Sequence, residues 1–395
     1  MHTRPSRPRS PAGSRRRLAR SAAVLLAGLL LATSAAPTAG AEPSGPRLDW
    51  RPGGPTASSR PGAPCADLLF VGARGSGEDP PYGRTVERTR QALADAAADG
   101  TGRDVVAREV WLDFPAVDPH TLTEVGLDRL LLEPELPTTG YLHSVDIGVQ
   151  QLSQVLDDSA ARCPDERWVL AGFSQGAQVV TSTLSRRTDD WRLAGAVLVG
   201  DPALHPGQAV VRTSTAVPEA TGLVATLRYV RDAVARGRDS GEDPEGAATM
   251  VRSVIEVGVG ETDRTRMLAA AADHDLDLPV SPVVVSVCRA GDLVCDAGPA
   301  LLRMALGQSA LEAELARTRP VHGGYRAGDL RPAARAIVSA LPERLPPPAP
   351  APPAPEPVAV GAETLVAAGL GVLGVVLAAA WWWRRRRTPR STSGG

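Results

Sequence analysis

Residues 168–186 read WVLAGFSQGAQVVTSTLSR, an apolar run that meets a helix-like segment at Gly172-Phe173-Ser174-Gln175-Gly176. The first four residues are typical of a buried strand, and the pentapeptide matches G-x-S-x-G. Between a strand and a helix, glycines at these positions let the chain turn sharply, so the serine hydroxyl rises from the end of the sheet. The N-terminus of the following helix favours negative charge. We therefore predict Ser174 as a catalytic nucleophile, against the alternative of a plain strand-to-helix turn.

Strand and helix patterns alternate on both sides of this turn. We predict strands at 67–73, 105–112, 168–171, 193–199 and 283–287, and helices at 85–98, 145–161, 177–186, 299–316 and 331–341. Strand, helix and strand in that order require crossovers, which produce a parallel sheet with helices on its faces. The sequence thus predicts an α/β fold of three layers in one domain, residues 62–344.

A long segment, about residues 206–279, interrupts this alternation before the last strand. It carries apolar residues at helical spacing, which predicts a helical insertion with arginines turned to solvent. The apolar positions are Leu223, Leu227, Val230 and Val234 in one stretch and Val251, Val254 and Ile255 in another; the arginines are Arg228, Arg231 and Arg236. Because the insertion leaves and re-enters the sheet at strand C-terminal ends, we expect a cap over the active site. The alternative is a surface insertion packed away from the site.

A serine hydroxyl is a weak nucleophile unless a neighbouring histidine takes its proton. In sheets with this serine turn, the acid and then the histidine follow the serine in the chain. Of His205, His274 and His322, only His322 comes after the remaining motif, the Asp292 loop, and it lies in the loop-like segment 320–325. We predict His322 as the base and expect His205 and His274 to be solvated at the surface.

Two aspartates compete for the role of the acid that orients the histidine. Asp292 lies between Cys288 and Cys295, directly after the predicted strand 283–287, so a small disulfide loop could hold it rigidly. Asp201 also follows a strand but precedes Pro202, which is typical of a structural turn. We predict Asp292 as the acid and keep Asp201 as the alternative.

Four cysteines allow three disulfide pairings in an exported chain. Cys288 and Cys295 are close enough in sequence to close a small loop, which leaves Cys65 and Cys163 to pair. Zinc is excluded by spacing, because there is no CxxC and no histidine near either pair.

Both ends of the chain carry export and membrane signals. Residues 1–41 have a basic start, a short apolar run and an Ala-Gly-Ala end, which indicates a cleaved signal peptide. Residues 42–61 are predicted to be a flexible leader and 345–360 a Pro-rich linker. The apolar stretch 361–383 is long enough for a transmembrane helix, and the arginine-rich tail 384–395 places the C-terminus in the cytoplasm. We expect a single-pass protein whose domain lies outside the cell.

The charge balance limits the partners. The formal net charge is −1, which gives no long-range field toward nucleic acid. No cofactor or metal is implied, and we expect a monomer.

Together the motifs resemble the cutinase family, including its secreted actinobacterial members. The matching segments are Cys65 with Ala73-Arg74-Gly75-Ser76-Gly77-Glu78, the Ser174 pentapeptide, Gly200-Asp201-Pro202, Cys288 with Asp292 and Cys295, and His322 with Tyr325. The resemblance implies an α/β-hydrolase-type fold and an oxyanion hole formed by Ser76 and the backbone N–H of Gln175. It also implies hydrolysis of carboxylic esters, lipid-like or cutin-like, through an acyl-serine intermediate. About eighty residues separate Asp201 from the Asp292 loop, more than is usual in the family.

Other functions stay open at this level. A cell-surface binding protein that has lost turnover would show a broken triad. An acyltransferase would pass the acyl group to another alcohol instead of water, and a peptidase could use the same scaffold.

Overall fold

The computed structural model describes residues 48–55, 64–98, 104–118, 129, 132–133, 139–187, 191–213, 219–276 and 283–345. The strands are β1 (Leu48–Pro55), β2 (Leu68–Ala73), β3 (Val105–Trp111), β4 (Arg167–Phe173), β5 (Leu193–Val199), β6 (Val211–Arg212) and β7 (Val283–Val287). The helices are α1 (Gly83–Ala98), α2 (Gly140–Arg162), α3 (Gln175–Leu184), α4 (Leu223–Asp239), α5 (Ala247–Val259), α6 (Arg264–Ala270), α7 (Gly298–Ala305), α8 (Leu311–His322) and α9 (Ala327–Arg344).

The strands form one parallel sheet in the order β1-β3-β2-β4-β5-β7-β6. Alternate residues of each central strand enter two separate apolar cores, as the period of a strand requires. In β4, Val169 and Ala171 face the core that also contains α1 and α9, whereas Trp168 and Leu170 face the core that contains α2 and α3. The predicted three-layer α/β fold is confirmed.

Two predicted boundaries are wrong for reasons of backbone geometry. The predicted helix 299–316 is two helices, α7 and α8, because Gly307 takes φ of 67° and ends the first. The segment around His322 is not a loop: α8 continues through Pro320 and ends at His322 itself. The helix-forming residues before the proline outweigh its missing N–H in this last turn.

The predicted flexible leader contains strand β1. It pairs in parallel with β3, and its Leu48 and Trp50 pack against the core. The Trp50 ring meets Phe70 edge-on with centroids 5.5 Å apart. The Pro- and Gly-rich composition concealed this apolar alternation.

The insertion forms helices α4, α5 and α6. Val230 and Val234 of α4 and Val254 of α5 share an apolar cluster with Leu293 of the Asp292 loop and with Leu301, which follows that loop. Helix α5 differs from expectation, because Val251 and Ile255 are 43% and 36% exposed. The insertion therefore packs on the loop that carries Asp292.

The predicted signal peptide, the linker beyond Leu345, the transmembrane helix and the tail lie outside the described residues. Among the helices that are described, none is long and apolar enough to span a bilayer.

Candidate active site

Ser174 stands on a strained turn between β4 and α3. Its φ of 54° and ψ of −118° lie in a region that residues with a side chain rarely adopt. Its backbone N–H donates to the carbonyl of Val199 on the neighbouring strand at 2.9 Å. The turn is thus tied to the end of β5, and the serine is only 7% exposed.

The glycines of the pentapeptide are required by close backbone approaches. A Cβ on Gly172 would lie 2.5 Å from the carbonyl oxygen of Gly176, and one on Gly176 would lie 2.1 Å from that of Ala73. Both distances are far below van der Waals contact, so no side chain fits at either position. The turn can form only with the residues that the motif supplies.

The structure brings His322 and Asp292 together. The imidazole Nδ1 lies 2.9 Å and 3.0 Å from the two carboxylate oxygens of Asp292, which is 0% exposed. Because a carboxylate accepts hydrogen bonds, Nδ1 carries the proton and Nε2 is left as the basic nitrogen. Phe173 stacks on the imidazole, with centroids 4.8 Å apart and 27° between the planes.

Tyr325 is a partner of this pair for which the sequence predicted no role. It is fully buried, and its hydroxyl donates to Asp292 Oδ2 at 2.7 Å while accepting from the Arg289 backbone N–H at 3.2 Å. Burial and the adjacent carboxylate hold the pKa of the Tyr325 phenol well above its ordinary value, so it stays a donor. The spacing of three residues from His322 is the signal that could have suggested it.

Gly200 is a second position whose role the sequence did not predict. It takes φ of 59°, and a Cβ there would lie 2.9 Å from His322 Cε1 and 3.4 Å from Asp292 Oδ2. A side chain at this position would displace the imidazole from its carboxylate.

The loop of Asp292 is closed by one of two disulfides. Cys288 pairs with Cys295, and Cys65 pairs with Cys163 across 98 residues, so both predicted pairings are confirmed. Within the loop the Val294 N–H donates to Asp292 Oδ1 at 3.0 Å. The bonds agree with an oxidising, exported environment and leave no thiolate for zinc.

Ser76 lies in a loop that Arg74 and Glu78 hold in place. The Arg74 guanidinium donates to the carbonyls of Leu112 at 2.9 Å and Glu78 at 3.0 Å, and the Glu78 carboxylate accepts from the Gly75 N–H at 3.0 Å. The Ser76 hydroxyl oxygen is buried and has no hydrogen-bond partner among the described residues. Its donor is therefore available to a ligand in the adjoining cavity.

Gln175 supplies the second predicted donor through its backbone. It is the first residue of α3, so its N–H has no acceptor within that helix. Its side chain points into the protein, where Ser144 Oγ donates to Gln175 Oε1 at 3.2 Å and Gln175 Nε2 donates to the Tyr141 carbonyl at 3.3 Å. These bonds fix the start of the helix behind Ser174.

Asp201, the alternative acid, has different partners. It is fully buried, and its carboxylate accepts from Thr181 Oγ1 at 2.6 Å and from the Ala203 N–H at 2.8 Å. Burial raises its pKa to about 6. No hydrogen bond joins it to His322 among the contacts of the described residues, so the geometry favours Asp292.

His205 and His274 are buried, contrary to the prediction of solvated side chains. They are 0% and 4% exposed and lie where the insertion leaves and rejoins the sheet. Gln208 donates to the His274 carbonyl at 2.9 Å, and burial lowers the pKa of His274 to about 3. His274 belongs to the insertion and His205 directly precedes it, so both rings are buried by packing between distant segments, which the local sequence could not indicate.

One cavity of about 190 Å³ joins the candidate residues to the insertion. Its wall contains Ser76, Ser174 and His322. The remaining wall is mostly apolar and includes Tyr141, Leu142, Phe173, Pro202, Val294 and, from α4, Leu223, Val224 and Leu227. An ester held here would lie beside the Ser174 hydroxyl, the His322 imidazole and the Ser76 hydroxyl.

Residues 64–303, more than half of the chain, match the family model of cutinase. The chain belongs to the cutinase family. The resemblance drawn from the motifs is confirmed, and the predicted class of carboxylic-ester hydrolases agrees with this membership.

Two cutinases from fungi are similar over part of their length. Cutinase CUT1 of Coprinopsis cinerea is 30% identical over 142 residues, which cover 35% of this chain and 58% of that one. Cutinase 4 of Emericella nidulans is 27% identical over 138 residues, 35% of this chain and 50% of that one. The chain thus spans about half the length of these curated relatives.

Among solved structures, a Cryptococcus sp. cutinase-like protein is similar to this chain. It is 15% identical, with a TM-score of 0.37, and the match covers 69% of this chain and 94% of that one. The catalytic core of acetyl xylan esterase from Trichoderma reesei is 16% identical, with a TM-score of 0.34, covering 64% and 100%. At such scores these likenesses support no inference about function.

Proposed function

We propose that this cutinase-family protein is a serine esterase that hydrolyses carboxylic esters with apolar acyl chains. The single observation that carries the proposal is the apolar cavity whose wall contains both Ser174 and His322, with His322 bonded to the buried Asp292. A serine esterase needs its nucleophile and its base beside the same bound ester, and an acid that orients the base.

The reaction has two steps. The Ser174 oxygen attacks the ester carbonyl while His322 Nε2 takes its proton; the tetrahedral intermediate then collapses, and His322 returns that proton to the leaving alcohol. Water next attacks the acyl-serine, giving its proton to His322, and the acid leaves as Ser174 regains a proton. Asp292 holds the imidazole in the required tautomer throughout.

The negative oxygen of each tetrahedral intermediate needs hydrogen-bond donors that are already in place. We assign this role to the Ser76 hydroxyl and the Gln175 N–H, because the first is buried without a partner in the described residues and the second begins a helix. Such donors stabilise charge that develops only in the transition state.

Helix α4 acts as a cap that shapes the acyl-binding space. Leu223 and Leu227 lie one helical turn apart on the cavity wall. Replacing Leu227 with tryptophan should narrow the cavity and shift the preferred p-nitrophenyl ester toward shorter chains. The matched control is Leu306→Trp, at a position 55% exposed on the surface. An unchanged chain-length profile in Leu227→Trp would contradict the cap.

The protein acts outside the cell, attached to the membrane through residues 361–383. The two disulfides and the N-terminal sequence support export, and the apolar run before Arg384 supports the anchor. A full-length protein that stays in the membrane fraction after alkaline washing, and is released when the chain ends at residue 360, would agree. Release of the full-length protein would refute the anchor.

Hydrolysis of p-nitrophenyl esters of graded chain length by the full-length protein tests the activity. We expect turnover by the wild-type protein and none above background by Ser174→Ala of unchanged melting temperature. Retained turnover in that variant would place the nucleophile elsewhere, and no turnover by the wild-type protein would reject the esterase.

A further inference from the structure

Two arginines of the cap line the same cavity as the catalytic candidates. Arg228 and Arg231 belong to α4 and form part of the wall with Leu227. Their sequence pattern predicted exposure to solvent, but the helix turns them toward the site. A guanidinium on a mostly apolar wall calls for a charged partner.

For Arg228, the described residues supply only part of the compensating charge. Arg228 Nη1 donates to Asp273 Oδ2 at 3.0 Å, and this carboxylate is 70% exposed, so water screens the pair. Among the described residues Asp273 is the only hydrogen-bond partner of that guanidinium, which has five N–H donors. Several of its donors therefore remain for a ligand.

Arg231 lies close enough to Arg228 for the two positive charges to repel each other. Burial lowers the pKa of Arg231, the Arg228 charge lowers it further, and the Glu133 carboxylate opposes both effects. Arg228 and Arg231 are three residues apart on α4, so their side chains lie on the same face of the helix, and both residues are half-buried.

The same arginines also border a second groove, of about 400 Å³. Its wall contains Glu133, Asp232, Arg238 and Asp239, and it is more polar than the catalytic cavity. Arg228 and Arg231 are therefore the boundary between an apolar cavity beside Ser174 and a polar groove. A ligand across this boundary would have an apolar part next to the serine and a charged part on the arginines.

We propose that Arg228 and Arg231 select anionic esters, in which an apolar chain near the reacting carbonyl ends in a carboxylate or phosphate. The planar guanidinium binds both oxyanions through paired hydrogen bonds. This inference rests on the proposed esterase function and names its substrate class.

Matched esters test the selection. The full-length protein would be assayed with p-nitrophenyl esters of equal length that end in methyl, carboxylate or phosphate, and with a second series in which the charge lies on the alcohol. We expect wild-type kcat/KM to favour an anionic ester at least about tenfold in one series, since a charge-assisted bond is worth that much. The preference should fall as NaCl is raised.

Variants assign the selection to the arginines. In Arg228→Gln and in Arg231→Gln, the ratio of anionic to neutral kcat/KM should fall about tenfold, mainly through KM. Arg252→Gln, which removes an exposed charge from α5, should leave the ratio unchanged. A structural defect would lower the rates for both esters equally and leave the ratio unchanged, which would overturn the proposal.

Failure of the proposed selection for anionic esters and failure of the proposed esterase activity would give different results. Turnover of neutral esters without any anionic preference in the wild-type protein would overturn the selection and leave the esterase standing. No turnover of any ester, with no labelling of Ser174 by a fluorophosphonate, would overturn the esterase as well.

Discussion

Changing Asp292 to asparagine should abolish most of the turnover through the tautomer of His322. The carboxylate accepts from the Val294 N–H at 3.0 Å, from the Tyr325 hydroxyl at 2.7 Å and from His322 Nδ1. If the amide NH₂ faced Val294, two N–H donors would oppose each other, so the amide oxygen keeps that position. The NH₂ then takes the place of Oδ2, 2.9 Å from His322 Nδ1.

An NH₂ group at that distance donates to Nδ1 and so favours the tautomer with the ring proton on Nε2. A protonated Nε2 cannot take the proton of Ser174. In the serine-protease triad the same change lowers kcat about 10⁴-fold, which corresponds to about 5.4 kcal/mol of transition-state stabilisation. A lost charge-assisted hydrogen bond alone accounts for only about 1.5–3 kcal/mol, so the tautomer is the larger effect.

Asp201→Asn is the matched control. It also replaces a fully buried carboxylate at the end of a strand, but the new amide can accept from Ala203 and donate to Thr181, and no hydrogen bond joins Asp201 to His322 among the described residues. Initial rates on a p-nitrophenyl ester at pH 8 should fall about 10⁴-fold in Asp292→Asn and stay near wild type in Asp201→Asn. Equal losses in both variants, or a loss confined to Asp201→Asn, would refute the assignment of the acid.

Three further predictions follow from the same contacts. Burial raises the pKa of Asp201 from 3.8 to about 6, so the folded state binds this proton more tightly than the unfolded state and loses about 3 kcal/mol of stability as pH rises from about 4 to 7. Asp201→Asn should therefore be more stable than wild type at pH 8 but not at pH 4. Unfolding curves that are the same for variant and wild type at both pH values would contradict this. Ser76→Ala should lower kcat about 10²- to 10³-fold with KM little changed, and an unchanged kcat would remove Ser76 from the oxyanion hole. Changing Cys288 and Cys295 to serine should lower kcat more, but lower the melting temperature less, than changing Cys65 and Cys163 to serine. The reason is that an eight-residue loop contributes only about 2.5 kcal/mol of chain entropy. A smaller loss of kcat and a larger loss of melting temperature than in the Cys65 and Cys163 variant would show that the loop serves stability alone.

The sheet and the serine turn were predictable because their signals are local. Apolar runs such as β5, Leu193–Val199, were predicted with the observed bounds. The pentapeptide itself contains the two glycines, Gly172 and Gly176, that the close backbone approaches require. The pairing of Asp292 with His322 needed only the chain order of the triad and a cysteine on each side of the aspartate. Their catalytic roles stay predictions.

The rest depends on packing between distant segments. His205 and His274 are buried where the two ends of the insertion pack against the rest of the domain, and Arg228 faces the cavity because α4 packs through its apolar face on the Asp292 loop and α7. The helical period of a sequence defines an apolar and a polar face of a helix, but it does not show which residues will lie against the active site. Strand β1 was concealed because Trp50 stands among prolines and glycines.

Fluorophosphonate labelling of the full-length protein, with mass mapping of its peptides, tests the central claim most directly. A fluorophosphonate forms a stable adduct only with a serine whose hydroxyl a neighbouring base activates. We expect one adduct, on Ser174, which is lost in His322→Ala while the protein remains folded. An unlabelled Ser174 in the folded wild-type protein, or an adduct on another serine, would contradict it.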